Sequence, residues 1–174
     1  VQAAYDANNL YVRLTFKAPA GGADHSDKDN EVKATMMFPN DKVPLADQAG
    51  CWSACHEDSK GMPKGKDKTK YVSAGAMDLM QWKSSGKSAD GFVADKRNME
   101  GGKAGATAEG AKAGDTYTVT FTRKLAGNAV LAAGKAVPFG IAIHADNAAG
   151  RFHHVSFGHT IGLGADGDVK AAKQ

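Results

Sequence analysis

The pattern of hydrophobic and polar positions along this 174-residue chain predicts β-strands. Two runs, 10–17 and 116–123, alternate apolar with polar side chains, and a period of two is typical of a strand with one buried face. Residues 1–5 precede the first run and are joined to it by 6–9, a stretch rich in Asp and Asn that tolerates turn geometry. The chain therefore opens with a predicted β-hairpin.

The rest of the chain continues this pattern. We expect a strand over 31–38 with Val32, Ala34, Met36 and Phe38 on one face, closed by Pro39; a strand or short helical turn over 77–83; an extended segment over 91–97; and a central strand over 137–145, paired after Pro138. Residues 101–115 are rich in Gly and Ala, which predicts a mobile surface loop with no part in the core or a site. The expected fold is all-β: a β-sandwich of mainly antiparallel strands with long loops and little helix.

Composition narrows the class of protein. The length fits a single domain over 1–174, and 42% hydrophobic and 24% charged residues are ordinary for a globular protein. The net charge of +3 comes without basic-aromatic interleaving, which argues against nucleic-acid binding, and no apolar run is long enough to span a membrane. The chain begins at Val1 without a signal peptide, so we expect a mature or excised fragment.

The candidate chemistry lies in the stretch 49–56, which holds the only two cysteines, Cys51 and Cys55, followed directly by His56. Two close thiols can add to the vinyl groups of haem, and the adjacent imidazole can become an axial ligand. The usual attachment motif is C-x-x-C-H, and this chain has one more residue between the cysteines. The motif predicts one covalently attached haem c.

Three other interpretations use the same residues. A local disulfide needs only Cα atoms about 4.4–6.8 Å apart. A structural zinc site needs four ligands, and no second cysteine pair exists. A binuclear copper electron carrier would use Cys51, Cys55 and Met62, but Ser59 occupies the position where that site needs a histidine.

The second axial ligand is expected from the region 151–157. His153 shares a strand face with Val155 and Phe157, and this face is predicted to be the interior one, which favours His153 over His154. Met62 comes third. His159, in a Gly-His-Thr turn, is a weaker candidate. The other sulfur and imidazole side chains are interpreted as core or loop residues: Met36, Met37, His144 and His25.

Bis-histidine ligation would give six-coordinate iron that carries electrons and binds no substrate, so we expect an electron carrier or redox subunit and not an enzyme. A haem-based ligand sensor would instead need a displaceable sixth ligand. Trp52, Trp82 and Phe157 are candidates for the wall of the haem pocket, although ordinary core packing explains them equally well. The lysines within 60–70 form a basic patch suited to an acidic redox partner.

Several segments, in this order, resemble the haem-binding subunit family of ethylbenzene dehydrogenase and dimethylsulfide dehydrogenase: 1–17, 36–40, 77–83, 91–97 and 140–164. The resemblance implies a β-sandwich that holds one haem at its edge and transfers electrons. Members of that family bind haem b through methionine and lysine. This chain departs from them by placing Cys51, Cys55 and His56 where the methionine is expected, while the lysine position falls near His153 and His154. It is similar to a c-type relative. Covalent haem attachment in turn implies export to the periplasm, and the sequence leaves open whether the chain is part of a larger multihaem protein or complex.

Overall fold

The computed structural model describes residues 1–17, 32–43, 77–94, 97–144 and 154–174, and every regular element within these ranges is a β-strand. The strands are β1 (Gln2–Tyr5), β2 (Asn9–Lys17), β3 (Lys33–Pro39), β4 (Met77–Lys83), β5 (Ser88–Val93), β6 (Arg97–Asn98), β7 (Thr107–Ala113), β8 (Thr116–Lys124), β9 (Lys135–His144), β10 (His154–Val155), β11 (His159–Leu163) and β12 (Val169–Lys173). The all-β prediction is confirmed.

The strands form one curled sheet in the order β6-β5-β4-β3-β9-β11-β12-β1-β2-β8-β7, with β10 paired to β9. Neighbours are antiparallel except at β12, which runs parallel to both β11 and β1. The last strand of this path, β7, contacts β4 and β5 near its beginning. The curled sheet therefore lies back on itself as a sandwich of two layers around one core, as expected.

The core follows the alternation in the sequence. On β2 the apolar residues Leu10, Val12 and Leu14 are buried, and on β8 Tyr117, Val119 and Phe121 lie beside them. The opposite layer supplies the apolar positions of β3, β4, β9 and β11 to the same cluster. The face of β3 predicted from Val32, Ala34, Met36 and Phe38 is confirmed as the core face.

Strands β3 and β4 are buried on both faces. The face turned away from the main core carries a second apolar cluster that includes Met37, Val43 and Leu79. On the same face the amide Nε2 of Gln81 donates a hydrogen bond of 3.1 Å to Oγ1 of the buried Thr35. Both faces of β3 and β4 are therefore packed: the main core covers one face, and the second apolar cluster lies on the other.

The predicted loop over 101–115 is wrong. Nearly half of it forms β7, Thr107–Ala113, which pairs with residues 116–122 of β8, and Ala104 and Ala106 belong to the core. At one position of β7 a small residue is needed because the strand lies close to a large side chain. A Cβ atom at Gly110 would lie 2.5 Å from Cε2 of Trp82. Close packing against the tryptophan thus explains this glycine.

Three strand boundaries also differ from expectation. The extended segment predicted from residue 91 begins earlier, at Ser88, and the pairing of β9 begins before Pro138, which lies opposite Thr160. Proline is accommodated there because the ladder from β9 to β3 starts only at Gly140, so the strand has one partner at Pro138. Strand β10 ends at Val155, and Phe157 beyond it is 73% exposed. The prediction that the face of Phe157 is interior is therefore wrong.

The two ends of the sandwich differ in character. At one, which we call the aromatic end, Trp82 meets Tyr117 edge to face at 5.8 Å and Tyr117 stacks on Phe16 at 5.5 Å. At the other, which we call the polar end, β3 finishes, β4 begins, and a buried ion pair joins Asp78 to Arg123. The segment 44–76, with the cysteine motif, leaves β3 and returns to β4 at the polar end.

Candidate functional site

Most residues predicted to form the site lie outside the described residues. These are Cys51, Trp52, Cys55, His56, Met62 and His153. The described residues contain His154 and Trp82 from that prediction, and they frame the ends of the segment that carries the motif. Within the described ranges, no cluster of three or more His, Cys, Asp or Glu side chains could hold a metal ion.

Trp82 is a core residue at the aromatic end. It is 3% exposed and is packed between Tyr117 and the backbone of β7 at Gly110. It lies five positions along β4 from Met77, where the chain returns from the motif segment, which is about 17 Å at a rise of about 3.4 Å per residue. The described contacts of Trp82 are those of core packing, and its assignment to a haem pocket wall stays a prediction.

The methionines of β3 and β4 are also packing residues. Met36 and Met80 are buried in the main core, while Met37 and Met77 are buried on the opposite face of the sheet. A thioether so placed could reach a metal only if the strand opened. This agrees with the interpretation of Met36 and Met37 as core residues.

His154 lies on β10 opposite Ile143, and its side chain is exposed. Ile143 is packed against the main core, and paired residues on neighbouring strands share a face, so His154 lies on the core side of the sheet. Because it is exposed, it lies outside the packed interior. With the residues that the structure describes, its imidazole makes no hydrogen bond or ion pair. His154 is therefore an accessible nitrogen donor whose orientation is fixed by no partner among the described residues.

His159 begins β11 and has a different environment. It lies opposite Phe139, with 6.0 Å between the two ring centroids, and its side chain is 49% exposed. Its Nδ1 atom faces Oδ2 of Asp168 at 3.8 Å, which is within ion-pair range and beyond hydrogen-bond distance. His159 thus combines an aromatic neighbour on the core side with a carboxylate beside one ring nitrogen.

Asp168 is itself held in place by Thr160. Its Oδ2 accepts hydrogen bonds from the backbone N–H of Thr160 at 2.8 Å and from the Thr160 hydroxyl at 3.1 Å. The backbone N–H of Asp168 donates back to Oγ1 of Thr160 at 3.1 Å. These hydrogen bonds lower the pKa of Asp168, chiefly through the backbone N–H of Thr160, so the carboxylate is charged at neutral pH.

The loop between β11 and β12 brings these residues together. Ile161 pairs with Val169 in parallel, so the chain reverses and returns to the same level within eight residues. A Cβ atom at Gly162 would overlap the carbonyl oxygen of Ala165, and Gly164 adopts a φ of 78°. Two glycines therefore permit the tight loop that places Asp168 beside Thr160 and His159.

The ion pair of the polar end lies beneath the points where the motif segment joins the sheet. Arg123 Nη2 is 3.0 Å from Oδ2 of Asp78, and the side chains are 1% and 0% exposed. Asp78 also accepts from the backbone N–H groups of Asn128 and Ala129, at 3.0 and 2.9 Å. The guanidinium Cζ lies 4.8 Å from the centre of the Phe38 ring. Burial lowers the pKa of Arg123, and the charge of Asp78 opposes that shift.

The sequence alone did not single out the contact of His159 with Asp168. Both residues lie in short polar stretches, Gly-His-Thr and Ala-Asp-Gly-Asp, that indicate turns. No local sequence pattern indicates that two strands joined by five residues pair in parallel. The available signal was a threonine and an aspartate eight residues apart, flanking several glycines.

Of the residues that the structure describes, none belongs to a helix that could cross a membrane. Residues 1–113 match the family model described as ethylbenzene dehydrogenase. The whole chain is 51% identical to cytochrome c-552 of Stutzerimonas stutzeri over 187 residues, covering 64% of that protein. It is 52% identical to cytochrome c-551 of Rhodocyclus tenuis over 176 residues, covering 68% of that protein. The chain thus spans about two thirds of the length of these curated relatives.

Proposed function

This chain belongs to the ethylbenzene dehydrogenase family, and we propose that it is a c-type member of it, an electron-transfer cytochrome domain with one covalent haem c. Cys51 and Cys55 form the thioether links, and His56 is the axial ligand next to them. The observation that carries this proposal is that two proteins named cytochrome c align with the whole chain at 51% and 52% identity. The motif then assigns the attachment to the only two cysteines in the chain.

Haem c would supply one-electron transfer, and the protein's part is to hold the iron between two fixed ligands and to keep the redox centre at the edge of the sandwich. The described residues are compatible with this role. The residues that flank the segment 44–76 lie at the polar end, where Asp78 fixes the start of β4 to the 125–131 loop. The motif segment is therefore flanked by a buried, hydrogen-bonded support.

The donor set fits an electron carrier better than a copper site. Four described methionines, Met36, Met37, Met77 and Met80, are buried in the two apolar clusters, and the exposed imidazoles of the described ranges are His154 on β10 and His159 on β11. Imidazole opposite imidazole leaves the iron without an open position, which favours electron transfer over ligand sensing. The domain would therefore act as a redox carrier and not as an enzyme.

The redox partner is a second part of the proposal. Lysines are concentrated in 60–70, a few residues after His56, and a basic patch near a haem would steer an acidic partner towards it. Covalent haem attachment takes place after export, so we place the protein in the periplasm. We treat 1–174 as one haem-binding domain, within a larger multihaem protein or complex.

Intact mass under denaturing conditions tests the attachment, together with a pyridine haemochrome spectrum. The full chain is produced with a cytochrome c maturation system, beside Cys51→Ala, Cys55→Ala and the double variant. We expect one haem to remain on the wild-type chain after denaturation, one thioether link in each single variant, and none in the double variant. Met36→Leu, a volume-conserving change in the core, is the matched control and should load haem like the wild type.

An unmodified mass for the wild-type chain, with no haem spectrum, would overturn the proposal. Copper found at two equivalents per chain in that sample would instead support the binuclear site of Cys51, Cys55 and Met62. Haem that is present but extracted by acidic solvent would show a haem b protein like the family members that the sequence resembles. Each result names a different function.

A further inference from the structure

We propose that His159, oriented by Asp168, is the second axial ligand of the haem. This inference rests on the proposed function, because it presupposes a haem attached through Cys51 and Cys55. It differs from the order expected from sequence, in which His153 came first and His159 was a weaker candidate. Three features of the described residues support it. His159 lies in a row of aromatic side chains at the polar end, a carboxylate lies beside its ring, and His154 lies farther from the motif segment.

The row is formed by three aromatic side chains on adjacent strands. Phe38 on β3, Phe139 on β9 and His159 on β11 lie side by side, with centroid distances of 6.3 Å and 6.0 Å. Neighbouring strands are about 4.8 Å apart, so the His159 backbone lies about 10 Å from that of Phe38. Phe38 is the residue before Pro39, where β3 ends and the chain proceeds to the motif segment. His159 is thus at the polar end, beside the base of that segment.

The carboxylate gives His159 a property expected of a ligand. A histidine that binds a metal usually directs its second ring nitrogen to a carboxylate, a carbonyl or water, which fixes the tautomer and orients the ring. Here Nδ1 faces Asp168, and Nε2 makes no hydrogen bond to the residues that the structure describes. Asp168 is in turn fixed by three hydrogen bonds with Thr160. The donor set therefore fits coordination through Nε2.

His154 lacks these features. It pairs with Ile143, four positions along β9 from Phe139, which is about 13 Å at the rise of a strand. That displacement is towards the start of β3 and away from the base of the motif segment. No carboxylate of the described ranges contacts its ring. His153 lies outside the described residues, and so it enters the test as a control beside His154.

The test uses the haem-loaded full chain with His153→Ala, His154→Ala and His159→Ala. Denatured mass and the pyridine haemochrome first establish that each variant carries covalent haem. We expect low-spin ferric haem by electron paramagnetic resonance in the wild type and in the first two variants. His159→Ala should become high-spin, bind carbon monoxide rapidly once reduced, and return to low spin on addition of imidazole.

A low-spin, carbon monoxide-insensitive His159→Ala protein that still carries covalent haem would overturn the ligand assignment and leave the proposed function intact. Loss of the low-spin signal in His153→Ala or His154→Ala alone would do the same. A wild-type chain without covalent haem would instead overturn the proposed function. If His159→Ala loads no haem, His159→Met decides, because a thioether ligand should raise the reduction potential, and an unchanged potential excludes ligation.

Asp168 is tested as a positioning residue. Asp168→Asn should keep the haem and low-spin iron but bind carbon monoxide about 10–100-fold faster in the reduced state, since second-shell changes weaken metal sites by that factor. Thr160→Val removes the two hydrogen bonds between the Thr160 hydroxyl and Asp168 but keeps the carboxylate and the hydrogen bond from the Thr160 backbone N–H. It is the matched control and should change the rate less. Equal rates in Asp168→Asn and the wild type would show that Asp168 has only a structural role.

Discussion

The two ends of the sandwich are stabilised by different means. At the aromatic end, Trp82 and Tyr117 fill the space between the layers, and β7 lies against them through a glycine. At the polar end, the space between the layers contains the ion pair of Asp78 and Arg123, and both side chains are buried. Stability at the first end depends on the shape of the packed side chains, and at the second on a hydrogen-bonded ion pair.

This difference bears on where a redox centre can be attached. The aromatic end is filled by the protein's own side chains and carries no histidine or cysteine among its described core residues. The polar end carries the residues that flank the motif segment, has His159 at its margin and fixes the adjacent loop through Asp78. A buried ion pair stabilises little relative to apolar packing, but it requires specific partners and so defines geometry. The polar end is therefore better suited than the aromatic end to hold a redox centre in a fixed position.

The largest expected effect comes from breaking the buried ion pair. Asp78→Ala leaves Arg123 charged and buried without its carboxylate, and such a change costs about 3–5 kcal/mol of unfolding free energy. It also leaves the backbone N–H groups of Asn128 and Ala129 without their acceptor. Urea unfolding of the haem-loaded chain, followed by far-ultraviolet circular dichroism, measures the loss.

The control for this prediction is the double variant Asp78→Ala/Arg123→Ala. Because it removes both charges, its cost should be clearly smaller than the sum of the two single variants. Additive costs would mean that the two side chains stabilise the fold independently. The polar end would then resemble the aromatic end, and the contrast between them would disappear.

A smaller effect is expected from crowding the aromatic end. Gly110→Ala places a Cβ atom 2.5 Å from the Trp82 ring, and overpacking of this kind costs about 1–3 kcal/mol. In an unhindered strand, Gly→Ala usually stabilises by about 0.4–1 kcal/mol, so the sign of the change is informative. Ala111→Ser, at the adjacent exposed position, should stay within about 0.5 kcal/mol of the wild type. A stabilised Gly110→Ala would show that β7 does not press on Trp82.

The sequence predicted the parts of the fold in which large apolar side chains alternate. The hairpin of β1 and β2, the core face of β3 and the strand β8 were all visible because a buried face needs a bulky residue at every second position. Strand β7 was missed because its inner face carries Ala108, Gly110 and Lys112, which give no such signal. The glycine at position 110 is explained by Trp82, on a strand far away in sequence.

The candidate site shows the same limit. Cys51, Cys55 and His56 form a local motif, so their chemistry could be proposed from spacing alone. The contact of His159 with Asp168 depends on a parallel strand pairing, and the pairing of Asp78 with Arg123 joins residues 45 positions apart. Contacts of this kind arise from topology. A single sequence does not specify them.

The smallest expected effect compares one surface carboxylate from each end. At the polar end, Asp6 accepts hydrogen bonds of 2.7 Å from the backbone N–H groups of Asn8 and Asn9 and from the Tyr11 hydroxyl. At the aromatic end, Asp115 forms an ion pair of 3.6 Å with Lys17, and both side chains are largely exposed. The hydrogen bonds, that of Asn8 first, lower the pKa of Asp6 below 3.8.

A carboxylate whose pKa is lower in the folded state stabilises the fold above its unfolded pKa, and the contribution is lost as the pH falls through the folded value. Asp6→Asn should therefore destabilise the protein at pH 7, and its difference from the wild type should shrink as the pH falls below 3.8. At pH 7, Asp115→Asn should cost less than Asp6→Asn, because exposed ion pairs contribute little. Thermal unfolding of the three haem-loaded proteins at several pH values measures this. If the stability difference between Asp6→Asn and the wild type stayed constant down to pH 2, the carboxylate charge of Asp6 would not stabilise the turn. Hydrogen bonding at the polar end would then contribute to stability only in the interior.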